Sequence, residues 1–99
     1  MADLEHYTRL SQAFAPLLQD LSTTWPKEDL QYVREEVEHS EFGEALENLI
    51  AVGLQNNKGF NPVHIRQIEE LAAAMEMMDS PFLLQLRQAN VGREGHVAA

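Results

Sequence analysis

The chain has 99 residues, with 16 acidic side chains against 7 basic ones and a formal net charge of -9 at pH 7. That length suits one domain with one hydrophobic core, and the composition of 44% hydrophobic and 23% charged residues is typical of a folded protein. The negative charge disfavours nucleic acids and anionic membranes, because both bind proteins through clusters of lysine and arginine. A basic partner is favoured instead.

The chain contains no cysteine, so neither a disulfide framework nor a thiolate site is available. The first residues lack the positive start and apolar run of a secretory signal. No stretch approaches the roughly eighteen apolar residues of a membrane helix. These observations predict a soluble, cytoplasmic protein that binds no membrane.

The first predicted helix spans about residues 3–21, because its apolar residues recur at intervals of three and four. Pro16 falls inside this pattern and should kink or split the helix, since proline removes a backbone hydrogen bond. The predicted inward residues are Tyr7, Leu10, Phe14, Leu17, Leu18 and Leu21.

The second predicted helix spans about residues 26–39, beginning at Pro26 with Glu28 and Asp29 complementing its positive end. At 100° per residue, Leu30, Val33 and Val37 form the inward stripe. The opposite side then carries Glu28, Tyr32, Glu35 and His39, and Glu36 is also placed on the polar side of this helix. This outward stripe combines carboxylates with an aromatic ring.

Three more helices follow, over about residues 41–55, 62–78 and 82–89. A turn at residues 56–59 ends the third, and Asn61-Pro62 and Ser80-Pro81 are start signals for the fourth and fifth. The predicted inward residues are Phe42, Ala45, Leu46, Leu49, Ile50 and Gly53 in the third helix and Ile65, Ile68, Leu71, Ala72, Met75 and Met78 in the fourth. Residues 1–90 are predicted to form the domain, and residues 91–99 a flexible tail.

No stretch alternates apolar and polar residues with period two, so a sheet has no support. The sequence predicts an all-α fold, a compact single-domain bundle of four to five short helices.

Catalytic and metal sites find little support in the pattern. Glu36 and His39 have the Glu-x-x-His spacing of di-iron bundles, but such a site needs a second copy and two further inward carboxylates. His64 lies beside core positions, where a lone histidine usually bonds a backbone carbonyl. Met75, Met77 and Met78 fit core packing better than a soft binding surface. We expect no enzyme activity, no cofactor and no metal.

The most acidic segment runs from residue 28 to residue 47 and holds eight carboxylates against one basic side chain, Arg34. A helix-turn-helix DNA reader is disfavoured there, because its recognition helix needs a basic surface. Two interpretations remain, a solvated face and a docking face. Tyr32 among carboxylates favours docking, because exposed aromatic residues often anchor protein interfaces.

Residues from about Trp25 to Met75 resemble the MafI-type immunity proteins of bacterial polymorphic toxin systems, also called contact-dependent inhibition systems. The likeness rests on the segment from Pro26 to Glu35, on the segment from Glu38 to Leu49, and more loosely on Ile65, Ile68, Glu69, Leu71 and Met75. The family usually has Ser or Asp before this proline, where Trp25 stands here. The resemblance covers about half of the chain.

The resemblance implies an immunity protein without activity of its own, which binds and neutralises a cognate secreted toxin domain. A nuclease is the expected toxin, because a nuclease site must be basic to hold phosphates and an acidic helical surface can occupy it. The predicted toxin-binding residues are Glu28, Tyr32, Glu35, Glu36, Glu38, Glu41, Glu44 and Glu47. The alternative is a non-catalytic helical adaptor or chaperone for a secreted protein. The toxin's identity, its choice of RNA or DNA, inhibition at the active site or at an exosite, and the oligomeric state stay open.

Overall fold

The computed structural model describes the backbone of residues 2–55 and 60–98 and the side chains of residues 5–55 and 60–89. Its helices are α1 (Ala2–Leu21), α2 (Lys27–Glu38), α3 (Phe42–Gln55), α4 (Pro62–Ala74) and α5 (Pro81–Ala98). No strand occurs in these described ranges. The all-α prediction is confirmed.

Helix α3 is the most apolar of the five helices, so burying it on several sides is favourable, and it lies at the centre of the bundle. It packs against α2, α4 and α5, while α1 packs against α2 and α4. The buried apolar residues form one cluster to which every helix contributes. Its largest fully buried side chains are Phe14, Leu17, Leu21, Leu30, Val33, Leu46, Leu49, Ile50, Ile68 and Leu83. A single hydrophobic core therefore holds the helices together.

Trp25, which precedes α2, is buried and packs against the ring of Phe60, with ring centroids 5.5 Å apart. Gly53 of α3 lies under both rings. A β-carbon there would come within 2.5 Å of Phe60 Cε2 and 3.1 Å of Trp25 Cη2. Trp25 thus packs in the core and does not cap α2. Pro26 is the N-cap residue of α2, and no side chain caps that end.

Pro16 does not divide α1, which runs without a break from Ala2 to Leu21. Pro16 is exposed, so water can bond the backbone carbonyl that the proline leaves without a partner. Tyr7 differs from its predicted inward position, since it is 44% exposed. Its ring lies at the edge of the core, 5.8 Å from the ring of Phe42.

Helix α4 ends at Ala74 rather than near residue 78, because the chain turns into a left-handed conformation at Glu76, with φ of 58°. Two backbone bonds close the end, from Glu76 N–H to Ala73 O at 3.2 Å and from Met77 N–H to Ala72 O at 2.7 Å. This pair defines a Schellman motif. The turn exposes Met78, predicted to be inward, and packs Met77 against the core.

The same motif ends α2, and here Ser40 is the left-handed residue, with φ of 61°. Ser40 N–H donates to Val37 O at 3.0 Å, and Glu41 N–H donates to Glu36 O at 2.8 Å. Only three residues separate α2 from α3. The joint between the two acidic helices is therefore short, and all three of its backbone N–H groups are hydrogen-bonded.

Helix α5 continues to Ala98, past the end predicted near residue 89. The side chains of residues 90–99 lie outside the described part, so the flexibility of the tail stays a prediction. The turn predicted at residues 56–59 also lies outside the described residues. None of the described helices combines the length and the apolar character needed to cross a membrane.

Replacing Glu76 by glycine should stabilise the protein by about 0.5–1 kcal/mol, because glycine adopts the left-handed conformation without steric cost. Urea unfolding measures the effect. The matched control is Glu70→Gly in the exposed interior of α4, which should destabilise by about 1 kcal/mol. Destabilisation by both substitutions would contradict the role given to Glu76.

Candidate protein-binding surface

The outward face of α2 carries Glu28, Tyr32 and Glu35, with Glu38 beside them. All four are exposed, and Tyr32 is exposed over 62% of its surface. Within the described residues, the three carboxylates make no side-chain hydrogen bond and no ion pair. The fold leaves these groups to solvent or to a partner.

Glu36 is not on this face, contrary to its predicted position, because it is only 5% exposed. It follows Val33 by one helical turn and so lies at the edge of the core stripe that faces α3. Asn48 Nδ2 of α3 donates to both of its carboxylate oxygens, at 2.8 and 2.9 Å. Glu36 thus links α2 to α3 through these two hydrogen bonds.

Glu47, also predicted to contact a toxin, is half-buried on α3. The hydroxyl of Ser80, just before α5, donates to its Oε2 at 2.9 Å. Since burial and this bond already occupy the carboxylate, Glu47 links α3 to the start of α5. Of the eight predicted contact residues, Glu36 and Glu47 therefore have structural partners.

The left-handed turn at Ser40 brings Glu41 and Glu44 next to Glu36. One oxygen from each of the three carboxylates lies within 4.8 Å of the others. A side-chain hydrogen bond with Glu41 and the charge of Glu41 raise the pKa of Glu44 above its ordinary value of 4.5, and Glu36 adds to the effect. Glu44 therefore holds its proton more readily than an isolated carboxyl group does.

The Glu-x-x-His pair that suggested a metal site is not assembled. His39 Nδ1 donates to the backbone carbonyl of Glu35 at 2.7 Å, while Glu36 points inward. Among the described residues, the one set of acidic or histidine side chains close enough to share an ion is Glu36, Glu41 and Glu44. Both oxygens of Glu36 are already bonded by Asn48. The geometry is that of a hydrogen-bonded carboxylate cluster.

His64 is buried at the start of α4, where it forms a capping box with Asn61. Asn61 N–H donates to His64 Nδ1 at 3.4 Å, and His64 N–H donates to Asn61 Oδ1 at 2.9 Å. The other ring nitrogen, Nε2, donates to Asp20 of α1 at 2.5 Å. His64 was expected to bond a backbone carbonyl; its partners are instead a carboxylate and a backbone N–H, and they tie α4 to α1.

The sequence did not reveal Asn48, Ser80 and Asp20 as partners of the acidic and histidine side chains. They lie 12, 33 and 44 residues from those partners along the chain. A periodic pattern within one helix cannot predict pairings between residues of different helices. The signal that was present is the position of Glu36 one turn after Val33, which indicates partial burial.

Replacing Asn48 by alanine should destabilise the protein by about 1.5–3 kcal/mol at pH 7, because it leaves a buried carboxylate without its two hydrogen bonds. Urea unfolding measures the loss. Adding Glu36→Leu should recover part of it, since no buried charge then remains. An Asn48→Ala variant as stable as the wild type would show that the hydrogen bonds between Asn48 and Glu36 do not stabilise the fold.

The raised pKa of Glu44 means that its ionised form is less favourable in the fold than in the unfolded chain. Its contribution to stability is present below the ordinary value of 4.5 and is lost as the pH rises through the folded pKa. Glu44→Gln should therefore raise the melting temperature at pH 7 and lose this advantage at pH 4. Thermal unfolding at both values, with exposed Glu70→Gln as control, tests this. An equal effect of Glu44→Gln at both pH values would contradict it.

Comparison of the chain with protein-family models, with curated proteins and with solved structures finds no match in any of the three. The exposed groups of α2 and of the joint are therefore the observations on which a function can be argued.

Proposed function

We propose that the protein is a non-catalytic binding protein of the immunity type, which neutralises a basic toxin domain by docking α2 and the α2–α3 joint onto it. The proposed contact residues are Glu28, Tyr32, Glu35, Glu38, Glu41 and Glu44. A nuclease remains the expected class of toxin. Glu36 and Glu47 are left out as direct contacts because the fold already uses their carboxylates.

The observation that carries the proposal is an exposed tyrosine in a row of carboxylates that bond no other described side chain. Tyr32, at 62% exposure, has Glu28 one turn before it and Glu35 one turn after it. An amphipathic ring can anchor an interface at low entropic cost. Carboxylates around it attract a basic surface and accelerate association.

The mechanism requires only occupancy and charge. A nuclease groove presents lysine and arginine to the phosphates of its substrate, and carboxylates on a rigid helix can satisfy the same groups. Because RNA or DNA cannot then enter, the toxin is inhibited without any chemical step. Binding at an exosite would use the same residues and would leave the toxin's active site open.

The second candidate function is an adaptor or chaperone for a secreted protein. The half-exposed Tyr7 and Leu84, 44% and 49% exposed, favour it, because a chaperone needs apolar surface for its client. These two residues lie on separate helices, α1 and α5. The acidic row around Tyr32 is the more concentrated feature, and it favours the immunity function.

The test is co-expression with the product of the neighbouring gene, which the proposal expects to be a basic toxin domain. The wild-type protein should rescue growth and copurify with the toxin. The triple variant Glu28→Lys, Glu35→Lys and Glu38→Lys should abolish rescue and slow association by about tenfold or more. Circular dichroism should show an unchanged helical spectrum.

The matched control is the triple variant Glu70→Lys, Glu76→Lys and Asp79→Lys, which makes the same charge change at exposed residues outside the proposed surface. It should protect cells as the wild type does. Full protection by the α2 variant would refute the proposed surface. No rescue by the wild type would refute the immunity function.

A further inference from the structure

A groove runs along the other side of α2, between this helix and α1. Three depressions follow one another along it, and neighbouring depressions share residues: Arg34 joins the first to the second, and Val37 joins the second to the third. The depression at the Ser22 end has a volume of about 400 Å³. The twelve residues of α2 are about 18 Å long, which suits an extended segment of five or six residues better than a small molecule.

The floor of the groove is apolar. Leu30 and Leu18 lie under its first two depressions, and Val37 and Phe42 lie under the third, where Tyr7 forms one wall. Ser11 and Ala15, one turn apart on α1, are small enough to leave this floor open. A bound segment can therefore bury apolar side chains there.

The rim at the Ser22 end is basic, which is unusual in a chain with a net charge of -9. Lys27 and Arg34 lie seven residues apart, nearly two turns, and so share one face of α2. Within the described residues, neither forms an ion pair, whereas Arg9 and Arg87 do. Arg66 on α4 also forms no ion pair with a described residue, but it does not line the groove. Two cations thus line one depression, and neither has a carboxylate partner in the part of the chain that the structure describes.

Glu38 lines the second and third depressions and so gives the groove a direction. It repels a carboxylate at that end, while Lys27 and Arg34 attract one at the Ser22 end. Polyanions are disfavoured by the charge of the whole protein. The chemistry that fits is a single carboxylate at the Ser22 end and an apolar side chain at the other end. In an extended segment the two would stand about three or four residues apart.

We infer that the α1–α2 groove is a second docking site, and that it takes an extended peptide segment of a partner protein with a carboxylate seated between Lys27 and Arg34. An aliphatic or aromatic side chain of that segment packs on Phe42 and Tyr7. This site shares Glu38 with the acidic face around Tyr32, but its two cations and its apolar floor lie outside that face. It does not depend on the function proposed for the acidic face.

The test uses a random twelve-residue peptide library displayed on phage and selected on the wild-type protein. The expected peptides share an Asp or Glu that stands about three or four positions from an apolar residue, in one constant order. A synthetic copy of the best peptide is then titrated by fluorescence anisotropy. Amide chemical shifts should change at Ser22, Gln31 and Arg34.

Arg34→Glu should weaken the peptide by about tenfold or more, because it replaces an attractive charge with a repulsive one in the groove. The matched control is Arg66→Glu. It brings the net charge to the same -11, from -9 less 2, and should leave the affinity within about twofold. Circular dichroism confirms that both variants fold. Ser11→Trp, which fills the groove without changing charge, should also weaken binding.

A selection that yields no peptide, or peptides without the acidic residue, would overturn the inference. Equal weakening by Arg34→Glu and Arg66→Glu would overturn it as well, because the effect would then come from net charge. The toxin is absent from this experiment, so its failure leaves the proposed immunity function standing. Failure of the protein to protect cells from the toxin would likewise not contradict peptide binding in the groove.

Discussion

The arrangement of this protein depends on the buried carboxylate of Glu36. A charge in the edge of the core is tolerable only with hydrogen bonds, and Asn48 supplies two to it from the neighbouring helix. The pair fixes α2 against α3 in one orientation, because an apolar contact alone would tolerate sliding. The left-handed turn at Ser40 then returns the chain and places Glu41 and Glu44 beside the same carboxylate.

This arrangement divides the acidic side chains into two kinds. Glu36 and Glu47 have one partner each inside the fold, Asn48 and Ser80. Glu28, Glu35 and Glu38 face solvent. The same helix carries Lys27 and Arg34 along the groove beside α1, where Glu38 also lies, while Glu28 and Glu35 are on the opposite side of its exposed surface. A sum of charges along the sequence hides this division.

The helices were predictable because an apolar period of 3.6 and Asn-Pro or Ser-Pro starts are local signals. The end of α4 was not, since the sequence gives no glycine at Glu76, where the chain turns left-handed. Only part of the candidate contact surface could be predicted from the sequence. Helical angle alone placed Glu28, Tyr32 and Glu35 outward, and the structure agrees. The prediction that Glu36 faces outward was wrong: its position one turn after Val33 indicates partial burial, but Asn48, which stabilises that burial, lies on another helix, and no periodicity refers to it.

The short joint at Ser40 has a further consequence for recognition. Three residues, closed by two backbone bonds, join α2 to α3, so the carboxylates on both sides move as parts of one rigid body. A partner docking there would meet a surface that is already ordered, and the loss of conformational entropy would fall mainly on a few side chains. A single inserted residue in the joint would break the two backbone bonds that close it, and with them that shared geometry. The spacing between the two acidic helices is therefore as much a determinant of what can bind as their charge.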